Sequence, residues 1–202
     1  MPRVHNPEFV KAYDTFREHY DWFSRRRMVG DLSIPDTKEA VAEMREFVDR
    51  WQGRTGLAEM DRGLEKFAEL VAGLERALER DATEKLIAVV EKRGDCVVGE
   101  LILKASVTFI ELMKEVPDEM RPELLRIHRE SMGKDFDPET DYRESEEDAE
   151  SHRQEFEQAW GSYVADWPER ATPELRQRAA TVEGDPLGAW LAELRATLAR
   201  LS

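Results

Sequence analysis

Residues 96–116 read CVVGELILKASVTFIELMKEV, and this stretch decides the fold. Apolar residues occupy almost every side of a helix drawn through it, whereas the neighbouring segments carry one apolar stripe each. A helix that is apolar all round is normally enclosed by other helices. The stretch therefore predicts an all-α, single-domain bundle with this helix buried at its centre.

The flanking segments predict the other helices. An aromatic residue recurs every three or four positions over residues 9–23, which favours a helix with its aromatic stripe in the core. Residues 57–78 keep an unbroken apolar repeat over three heptads, which suits packing within the chain or in a homodimer. We predict seven to nine helices in total. Residues 1–170 would form the main bundle, and residues 171–202 a C-terminal helical hairpin on the same domain.

Polar residues and a glycine mark several predicted helix ends. Asn6 and Thr172 each precede a proline and suit the N-terminal cap of a helix. Asp81 and Thr83 can cap a short helix that Gly94 ends. Three separate helices are therefore predicted between residues 57 and 116.

Composition limits the function classes. Of the 202 residues 37% are charged, and the net charge of −14 repels phosphate backbones and anionic lipids, so we expect no direct nucleic-acid or membrane binding. The single cysteine, Cys96, excludes a disulfide within the chain and favours a reducing compartment. The first residues, Met-Pro-Arg-Val-His, lack the apolar core of a signal peptide, so we expect a cytoplasmic protein.

The negative charge is concentrated in one segment. Residues 135–157 contain eleven acids and two arginines, a net charge of −9. Such a segment can steer a basic protein partner towards its surface, with nearby aromatic residues as anchors. Alternatively the acids are a solvated rim and the aromatic residues belong to the core. The candidate partner-binding residues are Glu144, Glu146, Glu147, Asp148, Glu150, Trp160, Tyr163 and Trp167.

The same segment also resembles a calcium loop. Its acids fall at positions 1, 3, 5, 7 and 12 of the EF-hand pattern, whose oxygens coordinate Ca²⁺. Thr140 stands where the pattern needs glycine, and Arg143 stands at position nine. Calcium is therefore a weak prediction, and no other cofactor is expected. The candidate ligands are Asp135, Asp137, Glu139, Asp141 and Glu146.

The four histidines are His5, His19, His128 and His152, and none has the spacing of a helical metal motif. His152 does share a helix face with Glu155, three residues later. Arg121 and His128 have the Arg-x6-His spacing that occurs in helical ribonucleases of the HEPN class, although Pro122 replaces the polar residue that usually follows the arginine. The sequence contains no glycine-rich phosphate loop, and we predict no catalytic residues.

One short motif carries a family resemblance. Val116–Leu125, VPDEMRPELL, loosely resembles the motif of the helical chaperones that assemble molybdenum redox enzymes, with Glu119 where those proteins usually carry histidine. The resemblance implies that a client-binding chaperone is a reasonable class.

These observations favour a non-enzymatic helical protein-binding module, which could be an adaptor, an assembly chaperone or a regulator. One alternative is an acidic mimic of nucleic acid that inhibits a nucleic-acid-binding protein. The other is a helical-bundle enzyme or sensor that holds a metal, a haem or a small ligand.

Overall fold

The computed structural model describes residues 6–201, and over this range the chain forms helices and no strand. The all-α class is therefore confirmed, with seven helices in the described range. No helix in that range is long and apolar enough to cross a membrane. The helices are α1 (Pro7–Met28), α2 (Ile34–Trp51), α3 (Ala58–Glu115), α4 (Arg121–Met132), α5 (Pro138–Asp166), α6 (Pro173–Thr181) and α7 (Gly184–Leu201).

Side-chain caps start several helices at predicted residues. The Asn6 side chain accepts hydrogen bonds from the Glu8 and Phe9 amides at the start of α1. The Thr172 hydroxyl accepts from the Leu175 amide at the start of α6, at 3.2 Å. Each cap satisfies amide groups that the first turn of a helix leaves without a partner.

Helix α3 replaces three predicted helices. Thr83, a predicted cap, lies inside α3, and its hydroxyl donates to the Glu79 carbonyl at 2.8 Å. Gly94, a predicted helix end, is also helical. An internal glycine costs a helix only about 1 kcal/mol relative to alanine, so α3 continues through it. A Cβ at Gly94 would lie 3.3 Å from the Leu187 side chain. The absence of a side chain at Gly94 therefore lets α7 pack closely against α3.

The prediction of a buried central helix over residues 96–116 is wrong. This segment is the last part of α3, and within it only Cys96 and Gly99 are buried. Neighbouring helices cover only part of its surface. The apolar composition of a segment does not determine how many helices pack around it. The large apolar side chains left exposed there are Val98 at 54%, Leu101 at 59%, Ile102 at 50% and Leu112 at 44%.

The chain divides into two compact units. Unit 1 comprises residues up to 84 together with those from 197 onwards, and unit 2 comprises residues 85–196. The predicted boundary at residue 170, and the hairpin that it defines, stay predictions.

The core of unit 1 uses the predicted aromatic stripe. Phe9 and Phe23 are each 2% exposed, and the Phe16 ring stacks on Phe47 with centroids 4.1 Å apart. The apolar repeat of residues 57–78 supplies Leu64, Val71 and Leu74 to this core. Packing within the chain therefore accounts for the repeat, and a homodimer stays a prediction.

Unit 2 has its own buried apolar residues. Helix α5 contributes Ala149, Phe156 and Tyr163, seven residues apart along one helix face. The other buried apolar residues of unit 2 are Ile87, Val89, Val90, Cys96, Trp167, Ala179 and Trp190.

Candidate functional site

Unit 2 contains a groove of about 510 Å³ lined by residues of α3, α4 and α5. We call it the acidic groove. Its lining residues are Ile102, Ala105, Ser106 and Phe109 of α3, His128 and Met132 of α4, Lys134 and Phe136 of the connection, and Asp141, Glu144, Ser145 and Asp148 of α5.

An aromatic cluster forms the floor of the acidic groove. The Phe109 ring stacks on the His128 imidazole with centroids 5.0 Å apart and an angle of 19°. Phe136 meets both rings edge-on, at 5.0 and 5.3 Å. Beside this cluster, Ile102 and Met132 are 50% and 59% exposed. The groove therefore has an aromatic floor and, beside it, two exposed apolar side chains.

One face of α5 forms the acidic wall of the groove. Asp141, Glu144, Ser145 and Asp148 are three, four and seven positions apart, so they lie on one helix face. Glu144 and Asp148 are exposed, whereas Asp141 is buried. The Asp137 side chain fixes this face in place, because it accepts hydrogen bonds from the Glu139 and Thr140 amides and so starts α5 at Pro138.

Lys134 bridges two carboxylates of this wall. Its Nζ lies 2.6 Å from an oxygen of Asp141 and 2.5 Å from an oxygen of Glu144. Asp141 also accepts a hydrogen bond from the Asp137 amide at 3.0 Å. Burial alone would raise the pKa of Asp141, but the Lys134 ammonium and the Asp137 amide outweigh it and lower that pKa. The two carboxylates raise the pKa of Lys134 in return. The groove is therefore negatively charged at neutral pH.

His128 and Asp141 lie side by side without a hydrogen bond between them. Its Nε2 lies 3.8 Å from the nearer Asp141 oxygen, which is too long for a hydrogen bond. This nitrogen is buried and has no hydrogen-bond partner among residues 6–201. Arg121 pairs with Asp118 at 3.0 Å. The imidazole acts here as part of the aromatic floor.

The structure does not form the predicted calcium loop. Because α5 begins at Pro138, Glu139, Asp141 and Glu146 lie on a helix instead of a tight loop. Asp137 is occupied as the helix cap, Asp135 pairs with Arg129 at 2.9 Å, and Glu146 accepts from the Tyr142 hydroxyl at 3.0 Å. Within residues 6–201 the five carboxylates do not converge on one centre.

The predicted acidic contact residues are all on the surface. Glu144 and Asp148 line the groove, while Glu146, Glu147 and Glu150 are exposed outside it. Glu147 lies 3.9 Å from Arg143, and Glu150 pairs with Arg153 at 2.9 Å.

The predicted aromatic anchors are placed differently. Tyr163 and Trp167 are each 2% exposed, so they are core residues and the prediction that they contact a partner is wrong. Tyr163 shares the inward face of α5 with Phe156, which explains its burial. Trp160 is half-buried, and the Arg176 guanidinium lies 5.2 Å from its ring centre.

The sequence did not single out the apolar half of the groove. Phe109 and Ile102 belong to the stretch that is predicted as a buried helix, and Phe136 is an isolated aromatic residue in an acidic stretch. One local indication is present in the sequence: Lys134 and Phe136 follow directly after Gly133, a residue type that often ends a helix.

The other predicted histidines lie outside the acidic groove. His19 is exposed on α1, with its Nδ1 3.5 Å from Glu43. His152 is near Asp95 and Glu155 in unit 2. His5 lies outside the described residues.

Comparison of the chain with models of protein families, with curated proteins and with solved structures finds no match. The site is therefore interpreted from its own chemistry.

Proposed function

We propose that the protein is a non-enzymatic helical binding module, an adaptor, assembly chaperone or regulator, whose acidic groove takes a basic amphipathic helix of another protein. The observation that carries this proposal is the combination of an apolar floor open to solvent with a wall of carboxylates on α5. A helix with apolar residues on one face and lysine or arginine beside them matches both surfaces.

Ile102 and Met132 support a protein partner, because both line the groove and both are exposed. Exposed apolar residues that lie together often mark sites of protein interaction. Methionine suits such a surface, because its flexible side chain adapts to different partners. Besides Ile102 and Met132, the exposed large apolar residues of α3 and α4 in unit 2 are Val98, Leu101, Leu112, Leu125 and Ile127.

The charge of α5 supports a basic partner. Residues 135–157 carry a net charge of −9, and the groove face of α5 carries three of these acids. Opposite charge on a partner speeds the encounter, and repulsion disfavours acidic competitors. Nucleic acid is disfavoured for the same reason.

A model peptide tests the proposal. We would titrate a fluorescein-labelled helix of leucine and lysine, with leucine at i, i+3, i+4 and i+7, and measure fluorescence anisotropy. We expect saturable binding. A scrambled peptide of the same composition, and a leucine–glutamate helix, should bind more weakly. Equal binding of the scrambled peptide would contradict recognition of an amphipathic face.

Two double variants with the same loss of charge locate the site. Glu144→Gln with Asp148→Asn removes two charges inside the groove, whereas Glu146→Gln with Glu147→Gln removes two outside it. We expect the first variant to weaken binding more than the second, with unchanged helicity by circular dichroism in both. Equal effects would show that overall charge, and not the groove, determines binding.

A further inference from the structure

A second group of side chains in unit 2 lies outside the acidic groove. Asp95 on α3 and His152 and Glu155 on α5 each place one potential ligand atom within 4.8 Å of the others. All three side chains are partly buried. Two carboxylate oxygens and one imidazole nitrogen form a donor set that zinc and related metals accept.

Close packing holds the His152 ring in this position. A Cβ added at Gly99 would lie 2.9 Å from Cδ2 of His152, so the ring rests directly against the glycine position of α3. The Cys96 thiol donates to the His152 carbonyl at 3.2 Å. This hydrogen bond also joins α3 to α5, within one turn of Gly99. The imidazole is therefore positioned in advance and loses little freedom when it binds a ligand.

His152 has an unused polar atom. Its Nδ1 is buried and has no hydrogen-bond partner in the described part of the chain. A buried polar atom without a partner is costly, and most such atoms in native proteins are satisfied by protein, water or an ion.

Lys92 shows that the position attracts a cation. Its ammonium lies 2.6 Å from Glu155 and 3.2 Å from Asp95, between the two carboxylates. The Lys92 side chain is 39% exposed, so it can move to solvent when another cation binds. An imidazole nitrogen binds a transition metal more strongly than it binds an ammonium group. His152 is therefore the residue that favours a metal ion over the Lys92 ammonium.

We propose that Asp95, His152 and Glu155 form a binding site for a zinc-class divalent metal, with the Lys92 ammonium as its competitor. Three protein ligands leave a fourth tetrahedral position for water. The nitrogen donor favours zinc or cobalt over magnesium and calcium, which prefer oxygen ligands alone. This site is separate from the acidic groove, and its test does not depend on the proposed partner.

Titration of the full, tag-free chain with Zn²⁺ in a calorimeter tests this proposal. We expect one saturable site per chain, lost in His152→Ala and weakened in Glu155→Gln. Lys92→Met should bind Zn²⁺ several-fold more tightly, a gain that a purely structural role for Lys92 does not produce. His19→Ala, which removes an exposed histidine of unit 1, serves as the matched control and should bind as the parent does.

A spectroscopic measurement keeps the test independent of stability. Co²⁺ added in place of Zn²⁺ should give a visible absorption band that disappears in His152→Asn, a variant of similar size, while circular dichroism confirms that the variant is folded. The proposal is overturned if the parent shows no saturable binding. It is also overturned if His152→Ala or His152→Asn binds as the parent does, or if Lys92→Met shows no gain.

Discussion

Lys134 and Asp141 form an ion pair with 2.6 Å between the ammonium nitrogen and a carboxylate oxygen, at the point where the chain enters α5. The Asp141 side chain is 10% exposed, so most of its charge is removed from water. Lys134 and the Asp137 amide compensate this charge, and together they fix the start of the helix that carries the acidic wall. Asp141 therefore links the stability of unit 2 to the geometry of the groove.

Replacing Asp141 should destabilise unit 2. In Asp141→Ala the Asp137 amide and the Lys134 ammonium both lose a charged acceptor. Hydrogen bonds to charged groups contribute about 1.5–3 kcal/mol, and we expect a loss of that order in the free energy of unfolding. Glu144→Ala removes the other, exposed partner of Lys134 and should change stability little. Urea denaturation of both variants measures the difference, and equal losses would contradict a special role for Asp141.

The contribution of Asp141 should depend on acid pH in a defined direction. Its pKa is lower in the folded chain than its ordinary value, so the unfolded chain takes up the proton first as the pH falls. The contribution is therefore full above the ordinary aspartate pKa of about 3.9 and is lost as the pH falls through the lower folded value. Denaturation curves of the parent and Asp141→Asn should converge below about pH 4. A constant difference down to pH 2 would show that the carboxylate charge is not responsible.

Two helical glycines of unit 2 should respond oppositely to alanine. In Gly99→Ala the new Cβ would lie 2.9 Å from His152 and 3.2 Å from the Ala149 backbone, and such overpacking typically costs about 1–3 kcal/mol. In Gly161→Ala nothing lies within 4 Å of the new Cβ, and the gain in helix propensity should stabilise by about 0.5–1 kcal/mol. Thermal denaturation compares the two variants. Stabilisation by Gly99→Ala would mean that α3 and α5 are further apart than described.

Cys96 should react slowly with alkylating reagents. It is 2% exposed, and burial raises the pKa of its thiol, so both access and the thiolate fraction are reduced. We expect iodoacetamide to modify the native chain more than about tenfold more slowly than the chain in guanidinium chloride. Because Cys96 is the only cysteine, one mass shift reports the reaction. Similar rates in both conditions would indicate that this part of α3 opens readily.

The sequence predicted those features that depend on neighbouring residues. Asn6 and Thr172 act as caps because capping is a contact over two or three residues. The aromatic stripe of α1 lies in the core because its spacing defines one helix face. Gly94 lies inside α3 and does not end a helix. The Leu187 side chain that packs against it lies far along the sequence, so no local pattern indicates this contact.

The candidate site depended on contacts that sequence patterns do not contain. Acid spacing suggested a calcium loop, but the Asp137 cap extends α5 through that segment. Nothing local indicates that Asp141 is buried against Lys134, or that Phe109 meets Phe136, because each pair joins different elements. The exposure of Leu101 and Ile102 was missed since composition does not tell how many helices reach a given surface.

The acidic groove keeps its charge and its apolar surface on different helices. The carboxylates belong to α5, whereas Ile102 and Met132 belong to α3 and α4. For the basic helix that we propose as partner, charge governs how fast the two molecules meet, and apolar contact governs how long they stay together. Association should therefore slow steeply with added salt, while dissociation should respond to substitutions at Ile102 and Met132. Evolution can thus adjust the arrival of a partner and the lifetime of its complex through separate sets of substitutions.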